Sequence, residues 1–169
     1  EKCASDKVFA ECLNIRLVGK TDDRILDSVR EAGLETYLTD LGYQPHNVAI
    51  EEQRKASLLI LPLRKEPEYK AVLPGKLFEY LAARRPIVGV GTGEGAMAAV
   101  LKETGAGHIF DWDDSAGISE YVDRLWEAFK AGDSMTPDAD IEKYSRRMTT
   151  RKMVDLFDTL IHENPAFRG

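Results

Sequence analysis

The chain has 169 residues and a mass of 18.9 kDa, one domain's worth at roughly 150 residues per domain, which argues against a multidomain machine. Its 43% apolar and 31% charged residues are those of an ordinary soluble globular protein and exclude a disordered or fibrous one. With 23 basic against 29 acidic side chains the net charge is -6, which argues against a nucleic-acid-binding module and its basic footprint.

The two cysteines, Cys3 and Cys12, are too few and too casually placed for a disulfide framework or a CxxC metal site. A reducing, cytoplasmic setting is the expectation. No run approaches the roughly 20 apolar residues of a membrane span, and the opening Glu1 to Lys7 has no apolar signal-peptide core. That opening reads as the tail of a helix already under way, so the chain is expected to be a fragment of a longer protein, one domain over residues 1–169 with a long C-terminal helix and tail from 139.

Apolar runs of strand length alternate with helix-length periodic segments, the signature of repeated βα units around a parallel sheet. Strands are predicted at Asn14 to Val18, Thr36 to Leu41, Ser57 to Leu63, Pro86 to Val90 and His108 to Trp112. Asp22 and Asp23 open a helix whose Ile25, Leu26 and Val29 form one stripe and which Gly33 stops. Pro45 suits the first turn of a helix to about Lys55. Further helices are predicted from Pro74-Gly75-Lys76 through Arg84, after Gly95, and from Ser115 onward. Ala131 to Asp138, with Gly, Asp, Ser and Pro, reads as a connector. Ile141 to Glu163 reads as one helix of about 35 Å, with Tyr144, Met148, Val154, Phe157 and Ile161 as its apolar stripe and a basic middle. That stripe is expected in a core or against a missing domain.

In an open parallel sheet ligands bind outside the carboxyl ends of the strands. There, the ten residues Arg64 to Leu73 form a connection longer than the usual 2 to 6 or so. At about 100° per residue in the helix that follows, Leu77, Phe78, Leu81 and Ala82 point into the sheet while Lys76, Glu79, Tyr80 and Ala83 point away. The helix opening at Gly75 offers unpaired N–H groups and positive dipole to a phosphate, Lys76 adds a full charge, and Glu79 suits sugar hydroxyls. The bland alternative is a solvated Lys76–Glu79 pair worth a few tenths of a kcal/mol.

The run Leu73-Pro74-Gly75-Lys76-Leu77-Phe78-Glu79-Tyr80-Leu81-Ala82-Ala83-Arg84-Arg85-Pro86-Ile87-Val88 resembles the donor-site segment of nucleotide-sugar glycosyltransferases with the GT-B fold. It is most similar to the large retaining group that includes glycogen and sucrose synthases, the glycosyl transferases group 1. Asn14 to Lys20, Leu41 to Val48, Ala56 to Leu61, Gly105-Ala106-Gly107, Asp111 to Asp114 and Tyr144 onward resemble further segments in the same order. The resemblance implies a Rossmann-like parallel sheet flanked by helices, the C-terminal, donor-binding half of a GT-B enzyme. It implies hexosyl-type transfer from a nucleotide diphosphate sugar, a partner N-terminal domain of the same chain, no obligatory metal or cofactor, and little activity from this half alone.

Carried over by position, the resemblance places Glu79 on the nucleotide ribose and Gly75, Lys76 and Leu77 near the diphosphate and sugar. It places Gly42, Tyr43 and His46 in the loop that contacts the base. Arg16 and Lys20 are the basic residues near a strand end where the family has its diphosphate-gripping cations. The family's first glutamate should lie eight residues before Glu79, at Ala71, and Glu68 is out of register. Arg84 stands where the family commonly has Gly and reads as a surface change.

A competing pattern is Gly91-Thr92-Gly93-Glu94-Gly95-Ala96, with Asp111 20 residues beyond the first glycine. It fits the G-x-G-x-x-A dinucleotide fingerprint of an NAD-binding dehydrogenase, although only one strand follows it. A non-catalytic, flavodoxin-like interaction domain is the third reading. His46, His108 and His162 have no ligand spacing, so no metal site is predicted.

Overall fold

A computed structural model describes residues 2–133, 137 and 140–163. The chain is α/β and forms two compact units, Glu1–Ala56 with Glu120–Ser134, and Ser57–Ser119 with Met135–Gly169.

In the first unit the opening holds two short helices. α1 (Lys2–Ser5) stops, and α2 (Lys7–Cys12) starts afresh on Asp6, whose carboxylate accepts from the Phe9 N–H. The same carboxylate accepts from the Trp126 indole at 2.8 Å, and both bonds hold its pKa below the ordinary carboxylate value, the Phe9 amide contributing most. Phe9 meets Trp126 edge-on at 5.2 Å. β1 (Ile15–Leu17) and β2 (Leu38–Asp40) pair in parallel, with α3 (Asp23–Glu31) between them and α4 (His46–Lys55) after. Asp22 caps α3 through the Arg24 N–H, as its position implies. Arg16 is bound to Glu52 at 2.7 Å, tying β1 to α4.

The second unit holds β3 (Leu59–Pro62), α5 (Gly75–Ala83), β4 (Ile87–Val90), α6 (Ala96–Thr104) and β5 (Gly107–Phe110). Its sheet has the order β3-β4-β5, all parallel, Leu59 opposite Ile87 and Ile87 opposite Gly107. The single sheet expected from the sequence is thus divided by hydrogen bonding into one of two strands and one of three. Leu61, Leu77, Leu81, Ile87, Met97, Val100, Leu101 and Ala106 form the core. β3 is an edge strand and alternates: Leu59 and Leu61 are buried while Ile60 is 60% exposed. Its apolar run therefore does not mean burial on both faces. Gly107 lies so close to β4 that a Cβ would meet the Ile87 carbonyl oxygen at 2.1 Å. Thr104, buried, donates to Val100 O at 2.8 Å, and Gly105 ends α6 at φ 64.

α7 (Ser115–Ala131) is closed by Gly132 at φ 74. Of the expected connector, residues 134–136 and 138 lie outside the described residues, as do 139 and 164–169 at the two ends of the C-terminal segment. Residues 141–163 are not one helix. A 3-10 turn, Glu142–Tyr144, is followed by extended Ser145 and then by α8 (Arg146–Glu163), 18 residues or about 27 Å. The break has a local cause: Ser145 Oγ accepts from the Met148 N–H at 3.2 Å, an N-cap that requires a non-helical backbone at Ser145. The expected apolar stripe is also not in the core. Tyr144 packs against it and Met148 is half-buried, while Val154, Phe157 and Ile161 are exposed together with Met153, Leu156 and Leu160.

Arg84 is more than a surface change. It closes α5 at φ 53, ψ 45, the left-handed region, where a Cβ costs about 1–2 kcal/mol. Arg84→Gly is expected to raise the free energy of unfolding by about 1 kcal/mol in urea titration, the relief of that strain less the extra entropy of an unfolded glycine. An unchanged midpoint would show that the strain is absorbed elsewhere.

Tyr144 donates its hydroxyl to Glu103, which also binds Lys143. That hydrogen bond, aided by burial, pushes the Tyr144 pKa from 10.0 up to about 12. The folded protein therefore holds a proton that the unfolded chain releases above pH 10, so the contribution is full below pH 10 and lost as pH rises to about 12. The stability difference between the wild type and Tyr144→Phe should shrink across that interval in denaturant titrations. A difference constant with pH would contradict it.

Candidate functional site

The carboxyl ends of β3, β4 and β5 carry the second unit's connecting loops, and two distinct places there hold exposed charge. The first is the opening of α5. Leu77 and Leu81, one turn apart, are buried in the core, and this seating turns Lys76 outward, exposed and without an ion pair or hydrogen bond among the described residues. Glu79 is half-buried. The helical face differs from expectation at two positions: Phe78 is 37% exposed and Ala82 is exposed, while Tyr80 packs on the core. Phe78 finds its neighbour in Tyr144, ring centres 6.1 Å apart. Burial drives the Tyr80 pKa up, with the Glu79 charge adding to it. No side chain caps α5, and a Cβ at Gly75 would point into open space. Leu77 is 0% exposed and its N–H is bonded to Pro74 O at 2.9 Å, so its side chain belongs to the core and has no surface for a ligand.

The second place is a cleft of about 220 Å³ between the long loop and the ends of β4 and β5, lined by Leu63 to Pro67, Tyr69, Lys70, Thr92, Asp111 and Trp112. The loop is not irregular throughout, since Pro67–Ala71 is a 3-10 turn. It is fastened at both ends of the cleft. The Trp112 indole N–H donates to Leu63 O at 2.9 Å, and Lys65 reaches Asp113 at 3.0 Å while its ammonium stands 5.8 Å from the Trp112 ring centre. At the other end Lys70 approaches Glu94 at 3.6 Å, an exposed pair of small worth. The closer fastening is steric. A Cβ at Gly95 would lie 3.0 Å from the Lys70 carbonyl oxygen, so the loop's own backbone occupies the space above that glycine.

This bears on the dinucleotide fingerprint. Thr92 and Asp111 do face one cleft, as the pattern implies. A Cβ at Gly93, the glycine that a pyrophosphate would approach, would meet nothing within 4 Å, whereas Gly95, an interior position of the pattern at the helix opening, is covered by Lys70. The glycine serves loop packing.

In the first unit, the loops leaving β1 and β2 are joined by a hydrogen bond from Gly19 N to Gly42 O at 2.8 Å. Gly42 takes φ 59, and Asp40 accepts its N–H at 2.9 Å, a turn that a residue with a Cβ adopts only under strain. Tyr43 is 87% exposed, His46 begins α4 on the surface, and Lys20 is exposed. Arg16 is committed to Glu52, which leaves Lys20 as the cation there without an ion pair among the described residues. Among the described residues no group of three or more His, Cys, Asp or Glu is gathered to hold a metal ion, and no helix is long and apolar enough to cross a membrane.

The sequence model described as "Glycosyl transferases group 1" matches residues 4–128, 125 of 169 positions, a span that takes in α5, the long loop and the loops after β1 and β2. The chain belongs to the glycosyl transferases group 1 family. No curated protein matches it. The match ends before α8, so the exposed helix lies outside the part that shows the family. For a group 1 glycosyltransferase the expected residues divide cleanly: Gly75, Lys76, Leu77 and Glu79 lie in the second unit and Lys20, Gly42, Tyr43 and His46 in the first. Sequence reasoning did not single out Arg64, Lys65, Thr92 or Trp112 as cleft residues, although the unusual loop length pointed to their neighbourhood.

Because the Lys70 carbonyl stands over Gly95, Gly95→Ala is expected to push the 3-10 turn outward. Trypsin should then cut faster after Arg64, Lys65 and Lys70 at native conditions. Unaltered cleavage there would mean that the turn is held by other contacts.

Proposed function

We propose that the chain binds the nucleotide diphosphate part of a sugar donor and takes part in transferring a hexosyl unit from it, with the opening of α5 as the diphosphate site. The observation that carries this reading is Lys76: an exposed cation without an ion pair among the described residues, in the first turn of an uncapped helix, beside a glycine whose missing side chain leaves open space. Helix N–H groups and dipole favour phosphate oxygens. As the glycosidic bond breaks, negative charge grows on the departing diphosphate. The amides near Gly75 and the Lys76 ammonium meet that charge without having to reorganise, the form of stabilisation most effective in a transition state.

Glu79, one turn on, accepts hydrogen bonds from the ribose hydroxyls in this reading. In the first unit, taken by itself, Gly42, Tyr43, His46 and Lys20 are the residues that the family resemblance assigns to base and diphosphate contacts. With Ala71 at the position of the family's first glutamate, the transferred sugar loses one carboxylate contact, so its recognition rests on backbone groups near Gly75.

Calorimetric titration of the chain with UDP, GDP and ADP, with NAD as competitor, tests this. One nucleoside diphosphate should bind, and Lys76→Ala should weaken it roughly 10- to 100-fold, the worth of one charge-assisted hydrogen bond of about 1.5–3 kcal/mol. Glu79→Ala should weaken the nucleoside diphosphate without affecting inorganic pyrophosphate. Binding indifferent to both variants, or NAD binding abolished by Asp111→Ala, would refute the assignment.

A further inference from the structure

The cleft beneath the long loop has chemistry of its own, and none of Gly75, Lys76 and Glu79 lines it. Its volume, about 220 Å³, is below the roughly 300 Å³ at which sites for drug-sized ligands begin. It is matched to one ring with a substituent and is too small for a nucleoside diphosphate.

Two of its walls are aromatic, Tyr69 and Trp112. The polar edge of Trp112 is already spent on Leu63 O at 2.9 Å, so the indole offers only carbon surface to a ligand. Its charged groups are of two kinds. Lys65 and Lys70 are engaged with Asp113 and Glu94. Arg64 stands 5.8 Å over the Tyr69 ring centre and has no carboxylate partner among the described residues. The Asp111 carboxylate, on the loop after β5, has no hydrogen-bonded or ionic partner among the described residues either. Glu66 supplies a second carboxylate at the rim.

We propose that this cleft binds one negatively charged hexose unit, a sugar ring bearing a carboxylate or a phosphate. The ring's C–H face lies on Trp112 and Tyr69, its anionic group meets the Arg64 guanidinium, and its hydroxyls donate to Asp111. Each rival class leaves something unsatisfied. A neutral hexose leaves Arg64 without its anion, and a bare phosphate makes no contact with the ring faces that Arg64 and Lys65 leave open and meets Asp111 as a like charge. The inference does not depend on the donor reading, because its ligand and its residues are different.

The test uses the whole chain, which has two tryptophans, and follows their indole N–H signals by NMR during titration with glucuronate, glucose 6-phosphate, glucose and inorganic phosphate. The expected result is a shift of the Trp112 signal with Trp126 as the unmoved reference. At least one charged hexose should bind ten or more times tighter than glucose and inorganic phosphate, and the comparison of glucuronate with glucose 6-phosphate identifies the anion. Arg64→Ala should weaken that ligand at least tenfold and Arg64→Lys less, while Arg147→Ala on α8 leaves it unchanged. Glucose binding as tightly as the charged sugars would overturn the proposal, as would phosphate matching glucose 6-phosphate. So would a joint shift of both indoles, or an Arg64→Ala variant that binds normally.

Discussion

Leu77 and Leu81 are seated in the same core as Ile87 and Met97, and that seating decides which way every other side chain of α5 points. Burying a leucine is worth about 1.5–3 kcal/mol, whereas a solvated lysine–glutamate pair on a helix surface contributes about 0.2–0.5 kcal/mol. The core therefore sets the rotation of the helix, and Lys76 goes where Leu77 sends it. The exposed ammonium at the helix opening is a consequence of packing on the far side.

The parallel β3-β4-β5 sheet extends the same constraint. Its strands all end on one side, so the loops after Pro62, Val90 and Phe110 converge there. Glycine is needed where backbones must close up. At Gly107 the β4 backbone leaves no space for a Cβ, and at Gly95 the Lys70 carbonyl covers the start of α6. The second contact spends one glycine of the turn on the protein's own loop. A glycine-rich turn after a strand can admit a phosphate or admit the protein's own loop, and here the loop takes Gly95 while Gly93 stays open.

The strands and most helices were legible because their periodicities are long and their punctuation is chemical. Asp22 caps α3, and Gly33, at φ 69, follows its end, as their positions imply. Less legible was anything that depends on what lies across from a residue. The 141–163 segment has helical spacing throughout, yet Ser145 breaks it by capping its own downstream turn. Spacing likewise shows that Val154, Phe157 and Ile161 share a face, but not whether that face is covered. Arg84 looked innocuous because an exposed arginine is commonplace, while its cost lies in a backbone angle that no composition reveals. At the candidate site, Lys76 and Glu79 followed from helical phase. Arg64, Asp111 and Trp112 come from two separate loops, and only the fold brings them to one cleft.

The net charge of -6 has little authority over either place. Exposed charges more than about 8–10 Å apart are largely screened at physiological salt, so an approaching anion responds to the groups within a few ångströms of it. At the opening of α5 these are Lys76 and the positive end of a helix, equivalent to about half an elementary charge. In the cleft the lining holds Arg64, Lys65 and Lys70 against Glu66 and Asp111, with both lysines drawn toward carboxylates outside the lining. With the lysines so engaged, Arg64 faces Glu66 and Asp111, and the cleft offers an anion one local cation and no net positive charge. At the opening of α5 an acidic protein thus attracts anions locally while its general surface repels them, which favours small ligands that can enter a site over polyanions that must lie along the surface.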